Sequence, residues 1–334
     1  MNILLTGGMG YIGSHIAVLL TNAGHQVHIY DNLCNSNVST LERIKKITSK
    51  EIGFTKGDVR DTEKLTNVLC DEKIGAVIHL AGLKAVGESS QKPIEYYANN
   101  VQGTISLIQA MQTAGINTLV FSSSATVYGD PVYLPYDEDH PTKPTNPYGR
   151  NKLQIEEMLS DLSVSDKAWK ISCLRYFNPV GAHESGLIGE DPNGIPNNLM
   201  PVIGQVVNRK LSILNIFGDD YDTPDGTGKR DYIHVMDLAE GHLAALTWLT
   251  SNPGCHIFNL GSGDSYSVLD LLHHFEEASG QSIPYQVAAR RQGDLPEYYA
   301  KVDKAEKVLG WKTKRALSDI CESSWLWIKN SRNN

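Results

Sequence analysis

No stretch of the 334-residue chain approaches the roughly 18 consecutive apolar residues that a membrane span needs, so no membrane association is expected. Basic residues are the minority charge, 30 Lys and Arg against 38 Asp and Glu, for a net charge of −8. That balance disfavours a broad electrostatic footprint for nucleic acid, and any phosphate must be met locally by helix N-termini and single arginines. Cysteine is sparse: Cys34, Cys70, Cys173, Cys255 and Cys321 are scattered, odd in number and without close pairs. They argue against a disulfide framework and against a zinc site, and no metal is expected. The N-terminal Met1-Asn2-Ile3-Leu4-Leu5-Thr6-Gly7-Gly8 has no basic region before its apolar residues and turns glycine-rich at once, which does not read as a secretory signal. A cytoplasmic location is therefore expected.

What is present is the mixture of a globular protein, 41% hydrophobic and 20% charged, in a length that suits one large domain or two ordinary ones. Apolar β-like runs near Ile3–Leu5, Val27–Tyr30, Gly53–Thr55, Ala76–His79, Thr118–Ser122 and Lys170–Arg175 alternate with helix-like stretches at Ile12–Ala23, Ser39–Lys46, Thr62–Cys70, Pro93–Gln112 and Tyr148–Asp161. Repeated strand–helix alternation predicts an α/β fold, a Rossmann-type doubly wound parallel sheet with ligands at the carboxyl ends of its strands. From Asn178 to Pro201 the texture becomes a loop rich in Gly, Pro and Asn, which puts a domain boundary near 178. Residues 1–178 are expected to form the first, Rossmann-type domain and 179–334 a smaller mixed α/β domain. In that second part an acidic, glycine-rich loop at Gly218–Gly228 precedes a helix near Val235–Leu249, a strand near His256–Leu260, a helix from about Val268 and a last helix ending around Trp327. Later segments are free to cross back onto the first sheet.

Thr6-Gly7-Gly8-Met9-Gly10-Tyr11-Ile12-Gly13 joins the first predicted strand to an amphipathic helix, the context in which a glycine spacing signifies dinucleotide binding rather than an ordinary loop. Glycine serves a tight turn, close approach of backbone to a pyrophosphate, and close packing of helix on strand. Asp31 follows Gly13 by 18 residues, at the end of the next strand. A carboxylate there accepts hydrogen bonds from ribose hydroxyls and repels the extra phosphate of NADP, and no Lys or Arg stands between Asp31 and Arg43 to welcome that phosphate. NAD is the expected cofactor. A kinase-type phosphate loop is excluded because no Lys follows the third glycine.

Of 15 tyrosines only Tyr148 has a Lys four residues on, Lys152, which places the two on one helical face. Asn146 suits the N-cap of that helix and Pro147 its first position. By itself such a pair is equally what a solvated helix face carries. Ser122-Ser123-Ser124 closes a predicted strand at the edge where chemistry belongs, although serines there also serve as caps. A tyrosine with its ordinary pKa near 10 is a poor base, but a neighbouring ammonium and a cationic nicotinamide would favour its phenolate. A shift of about 3 pH units, roughly 4 kcal/mol, would let it take a hydroxyl proton while hydride leaves the same carbon.

The chain resembles the extended short-chain dehydrogenase/reductase family, and within it the members that invert a nucleotide sugar at carbon 4. The likeness runs through Gly7-Gly8-Met9-Gly10-Tyr11-Ile12-Gly13-Ser14-His15, Asp31-Asn32-Leu33-Cys34-Asn35-Ser36, Ala81-Gly82-Leu83-Lys84-Ala85-Val86-Gly87-Glu88-Ser89 and Phe121-Ser122-Ser123-Ser124-Ala125-Thr126-Val127-Tyr128-Gly129. It continues through Arg175-Tyr176-Phe177-Asn178-Pro179-Val180-Gly181-Ala182-His183, Gly194-Ile195-Pro196-Asn197-Asn198-Leu199-Met200-Pro201 and Arg230-Asp231-Tyr232-Ile233-His234-Val235. The resemblance implies Tyr148 as acid and base at the sugar 4-hydroxyl, Lys152 as its charge partner and ribose ligand, and Ser124 as the group that positions the hydroxyl. It implies that Gly7, Gly10, Tyr11, Ile12, Gly13, Asp31, Asn32, Leu33, Cys34, Asn35, Ser36, Asp58, Val59, Leu80, Ala81, Gly82, Leu83, Lys84, Asn99 and Phe177 line the NAD site together with Ser124, Tyr148 and Lys152. Beside Ser124 and Tyr148, the substrate side would comprise Asn178, Asn198, Leu199, Asn215, Phe217, Arg230, Tyr232, Arg291, Asp294 and Tyr298.

The implied reaction interconverts UDP-galactose and UDP-glucose. Hydride passes from sugar carbon 4 to a tightly held NAD, the 4-keto sugar turns about its link to the diphosphate, and hydride returns to the other face. A 4,6-dehydratase of the same fold would need an Asp-Glu pair where Ala125-Thr126 stand, and a non-catalytic sensor would not need Tyr148. A reductase would use the same Tyr and Lys but exchange its cofactor at each turnover. Tyr298, by the same resemblance, fills the room an N-acetyl group would take, so N-acetylated UDP-sugars are expected to be poor substrates. Relatives pair two helices into a dimer. A homodimer is the expected state, with Val101, Ile105, Ile108, Leu153, Met158 and Leu159 on those helices, although each residue could equally pack on its own sheet.

Overall fold

The computed structural model describes residues 1–331 apart from 193, 195, 197 and 292. Its strands are apolar on both sides, as parallel strands covered by helices on both faces must be; in β1 (Asn2–Thr6) all but the first residue are buried. β1, β2 (Gln26–Asp31), β3 (Gly53–Lys56), β4 (Ala76–His79), β5 (Thr118–Ser124) and β6 (Lys170–Tyr176) alternate with α1 (Tyr11–Asn22), α2 (Ser39–Thr48), α3 (Thr62–Asp71), α4 (Val86–Gln91), α5 (Pro93–Tyr96), α6 (Gln102–Thr113) and α7 (Pro147–Ser165). A turn of π geometry, Tyr97–Val101, joins α5 to α6, and one 3-10 turn, Ala125–Val127, follows β5. The stretch expected as one helix from Pro93 is thus interrupted, and α4 was not anticipated. The start of α7 follows the sequence signals: Asn146 Oδ1 accepts the Gly149 N–H at 2.9 Å and Pro147 holds the first helical position.

The second part contributes β7 (Asn178–Val180), α8 (Leu199–Val207), β8 (Leu214–Phe217), β9 (Lys229–Arg230), β10 (Tyr232–His234), α9 (Val235–Leu249), β11 (Gly254–Leu260), β12 (Tyr266–Ser267), α10 (Val268–Ser279), β13 (Tyr285–Ala288), β14 (Glu297–Tyr298), α11 (Asp303–Leu309) and α12 (Leu317–Ser331). The main sheet has seven parallel strands in the order β11-β6-β5-β4-β1-β2-β3. The strand order reverses between β1 and β4, the place where open α/β sheets leave a crevice. β11 pairs with β6 from Gly254↔Lys170 to Leu260↔Tyr176, so the chain returns to the first sheet after leaving it.

One core face packs Ile16, Ile29, Leu238 and Leu246, which brings α1 and α9 onto the sheet; the other packs Leu107, Met111, Ile155 and Leu159 from α6 and α7. A separate core of Ile203, Leu271, Phe275 and Ile328 binds α8, α10 and α12. α8 begins at Leu199, inside the stretch that the sequence reads as loop to Pro201. Of the motif at 194–201, Ile195 and Asn197 lie outside the described residues.

Candidate active site

The glycine turn is shaped by backbone against backbone. A Cβ on Gly13 would lie 2.5 Å from the Gly7 carbonyl oxygen and 2.6 Å from the Gly8 Cα, so α1 reaches its strand only with hydrogen at that position. Gly7, with φ +71°, would place a Cβ 2.7 Å from the Ala81 nitrogen. At Gly10 the nearest atom stands at 3.4 Å, which leaves its outer side open. Gly10 caps α1 without a side chain and no acid occupies the first turn, so the orphan N–H groups of the helix end remain available to an anion.

These groups line one cleft with Asp31, Asn32, Cys34, Asn35, Ser36, Val59, the run Leu80–Lys84, Asn99, Tyr148 and Lys152. The cleft lies along the carboxyl ends of β1, β2, β4 and β5. Asp31 accepts the Met9 N–H at 3.1 Å, the Leu33 N–H at 2.8 Å and the Ser36 hydroxyl at 3.0 Å. That uses three of the roughly four acceptor positions of a carboxylate and fixes its direction for one more donor. Leu33 carries φ +63° in that turn. Asp58 is linked to the cleft through Asn32, whose Nδ2 lies 3.3 Å from it, and the Arg60 guanidinium holds the Asp58 carboxyl down at about 2.

On α7, Lys152 is buried and its Nζ donates to the Ser122 carbonyl at 2.6 Å, while lying 5.7 Å from the centre of the Tyr148 ring. Burial lowers the ammonium to about 8, against the opposing pull of Glu156 and Cys173. Burial pushes the Tyr148 phenol up to about 12, and a hydrogen bond with Ser124 draws it back only in part. The expected depression of the phenol is therefore not supplied by the groups of the chain itself. Lys152 donates to the Ser122 carbonyl, and dehydration of the phenolate outweighs the charge held there. Thr126 donates its hydroxyl to Ser124 Oγ at 2.9 Å and its N–H at 3.2 Å, which leaves the Ser124 proton to point elsewhere.

The residues expected on the sugar side come from distant parts of the chain. Asn178 donates to the Asp231 carbonyl at 2.8 Å and accepts from the Tyr298 hydroxyl at 2.8 Å. The Arg230 guanidinium lies 4.8 Å from the centre of the Tyr298 ring, donates to the Leu295 carbonyl at 2.8 Å and stands 4.0 Å from Asp294. Arg291 stacks 3.8 Å over Phe217, and Asn215 accepts from Gln286 at 2.8 Å. Phe177 packs with Tyr136 and Ala300, its ring 6.2 Å from that of Tyr298; Tyr232 is buried against Met200 and Ile203.

Glu190 was not anticipated. It pairs with Lys84 at 3.1 Å and accepts from Asn198 at 2.7 Å, and so ties the expected cofactor side to the expected sugar side. Tyr176, Arg43 and the stretch 188–192 also line the cleft. Glu190 sits in a loop without period or motif, and no local signal marks it. Among the described residues no group of His, Cys, Asp and Glu could hold a metal ion, no helix is long and apolar enough to cross a membrane, and the five cysteines form no disulfide.

Comparison with known proteins places this geometry in context. Residues 4–324 match the family model described as GDP-mannose 4,6 dehydratase. The chain is 54% identical over 333 residues to a protein of Neisseria meningitidis serogroup A named UDP-glucose 4-epimerase, covering 99% of this chain and 98% of that one. A Bacillus subtilis protein of the same name is 52% identical, over 100% of this chain and 98% of its own length. Among solved structures, the UDP-glucose-4-epimerase of Stenotrophomonas maltophila with bound NAD and formylated UDP-arabinopyranose superposes with a TM-score of 0.98 at 46% identity, covering 100% of this chain and 99% of that one. The Bifidobacterium longum enzyme in complex with NAD+ and UDP gives 0.96 at 49% identity, with coverage of 100% and 99%.

Proposed function

This chain belongs to the UDP-glucose 4-epimerase family, and from that premise we propose how its own residues carry the reaction. It is an NAD-dependent isomerase that interconverts UDP-galactose and UDP-glucose. The observation that carries the assignment of roles is the meeting, in one cleft, of the glycine turn, Asp31 and the Tyr148–Lys152 face of α7.

The donor set fits the dinucleotide. The open side of Gly10 and the uncapped start of α1 suit a pyrophosphate, Asp31 suits ribose hydroxyls, and Leu80–Lys84 and Asn99 line the remainder. Bound NAD supplies a hydride acceptor that returns the hydride in the same turnover, so no net oxidation occurs. Tyr148 takes the proton of the sugar 4-hydroxyl and later returns it, Ser124 aligns that hydroxyl, and Lys152 holds the positive charge that favours phenolate. Because burial, only partly offset by Ser124, raises the Tyr148 phenol to about 12, a further positive charge at its face has to accompany the proton transfer.

On the other side Arg230 and Arg291 suit a diphosphate, and Asn178, Asn198, Leu199, Asn215, Phe217, Tyr232 and Asp294 complete the nucleotide's surroundings. Both sugar faces must be presented in turn, so the nucleotide is held firmly and the sugar loosely. A 4,6-elimination is disfavoured by Thr126, whose hydroxyl is engaged with Ser124 and offers no acid. The same reading divides the work near residue 178, places the protein in the cytoplasm, and pairs two copies through the outer faces of α6 and α7. Ile108 and Leu159 are spent in the chain's own core, and Val101, Leu153 and Met158 pack against its clusters from half-buried positions; half-buried Ile105 belongs to none of those clusters. Sedimentation at micromolar concentration checks the pairing, with a dimer mass expected.

The primary test mixes purified protein with UDP-galactose, adds no NAD, and follows UDP-glucose by chromatography. Conversion that disappears in Tyr148→Phe is expected. Absence of product even after NAD is supplied would overturn the assignment.

A further inference from the structure

Tyr148, Lys152 and Glu156 are spaced at four-residue intervals, so the face of α7 that carries the reacting pair continues one turn further into a buried carboxylate. Glu156 is 4% exposed. Its Oε1 accepts the Ser123 hydroxyl at 2.5 Å and the Arg175 Nε–H at 3.0 Å, and its Oε2 accepts the Arg175 Nη2–H at 2.6 Å. Arg175 is 3% exposed and stacks 4.7 Å over Tyr128. A buried ion pair commonly adds little net stability over apolar residues of the same size, so its presence directly behind Lys152 calls for another account.

We propose that Glu156 is a positioning residue for the epimerase reaction, acting through Lys152: it is the anion that keeps the Lys152 ammonium charged in a dehydrated site. The proposal rests on the roles given above to Tyr148 and Lys152. The groups around Lys152 are Tyr148 and Glu156 on α7, His79 on β4, the Ser122 carbonyl and hydroxyl on β5, and Cys173 and Tyr176 on β6, with Arg175 of β6 paired to Glu156. His79 is held neutral, its pKa lowered to about 3 by burial and then by the Lys152 charge, and the Cys173 thiol is pushed well up, so neither offers a counter-charge at neutral pH. Tyr176 is likewise raised by burial. Arg175 has the same sign as Lys152 and shares the Glu156 charge, so Lys152 receives only part of it. Glu156 is the remaining anion, and Ser123 and Arg175 hold it in place by three hydrogen bonds without contributing negative charge.

The experiment measures kcat and KM for UDP-galactose against pH in the NAD-loaded enzyme, its Glu156→Gln variant and its Ser123→Ala variant. In the parent enzyme the alkaline limb of kcat reports loss of the Lys152 proton. In Glu156→Gln that limb is expected about one pH unit lower, with activity at pH 9 down roughly tenfold, and with KM and retained NAD unchanged. Ser123→Ala removes an anchor of Glu156 and keeps the charge, so its limb stays where the parent's lies. A limb that does not move in Glu156→Gln overturns the proposal, as does an equal movement in Ser123→Ala, which would make the role mechanical. Where Glu156→Gln fails to fold because Arg175 is left unpaired, Arg175→Met and Glu156→Gln/Arg175→Met, which differ by the Glu156 charge alone, are compared, and the limb of the double variant is expected below that of the single one. Failure of the parent reading shows separately, as conversion that survives Tyr148→Phe.

Discussion

Around Gly7–Gly13 and Asp31 the partners that shape the cleft are backbone atoms of neighbouring turns, whereas around Arg230 and Arg291 they are long side chains gathered from β8, β9, β14 and the loops between. Backbone-on-backbone contact admits one residue type and leaves a spacing in the sequence. Side-chain contact between distant elements admits several and leaves none. The first region therefore announces its ligand, and the second does so only through likeness to relatives.

The sharpest way to break the comparison is to strike where the two regions meet. Tyr148→Phe is expected to lower turnover by at least about 10²–10⁴-fold while bound NAD and affinity for UDP stay as they are, since only a proton donor is removed. Parallel turnover, NAD-content and UDP-titration measurements check this. Next in size, Gly13→Ala sets a methyl against two backbone groups and should cost several kcal/mol with loss of NAD, as overpacking against rigid neighbours does. Gly293→Ala on the sugar side meets nothing within 4 Å and costs only the strain of φ +85°, about 1–2 kcal/mol. Thermal denaturation of the pair measures the difference, and equal losses would erase the contrast.

Arg291→Ala removes a charged partner of the expected diphosphate. KM for UDP-galactose should rise roughly 10–100-fold, the equivalent of one charge-assisted hydrogen bond, with no change in retained NAD. The pH response separates activity from stability. Lys152 has a folded pKa of about 8, below its unfolded value, so between about 8 and 10.5 the unfolded chain binds more protons and this group's contribution to stability rises with pH. Activity falls over the same interval because the ammonium is lost. Inactivation at pH 9 should thus reverse on return to neutrality, with circular dichroism unchanged throughout. Smallest in effect on the native reaction is Tyr298→Cys, which releases the hydrogen bond to Asn178 and opens space; chromatography is expected to show gained turnover of UDP-N-acetylglucosamine with modest loss on UDP-galactose.

The periodic elements were legible: the alternation from β1 to β6, the Asn146-Pro147 start of α7 and the Tyr148–Lys152 face are all local patterns. α4, the π turn after α5 and α8 were not, because short helices among Gly, Ser and Pro have no period to display. Glu190 and the Glu156–Arg175 pair escaped for a different reason. Each is held by partners on other elements, Lys84 and Asn198 for the first and Ser123 of β5 and Arg175 of β6 for the carboxylate of the second, and that is a property of the fold rather than of any window of sequence. The Tyr148 phenol shows what residue type leaves out: a nearby lysine suggests a lowered pKa, yet burial of the phenol, which no spacing displays, outweighs it in the chain alone.

The late return of β11 to the edge of β6 bears on how the protein is made. A ribosome releases Tyr176 with one edge of the sheet unpaired, and the strand that covers it does not emerge until Leu260 has been added. At roughly 5–20 residues per second this interval is on the order of ten seconds. Throughout it the nascent chain displays an open, apolar strand edge, the kind of surface that invites pairing with another chain. Ribosome-bound chains ending before Gly254 should accordingly be the aggregation-prone and chaperone-dependent ones, and those extended far enough past Leu260 for β11 to clear the ribosome should not.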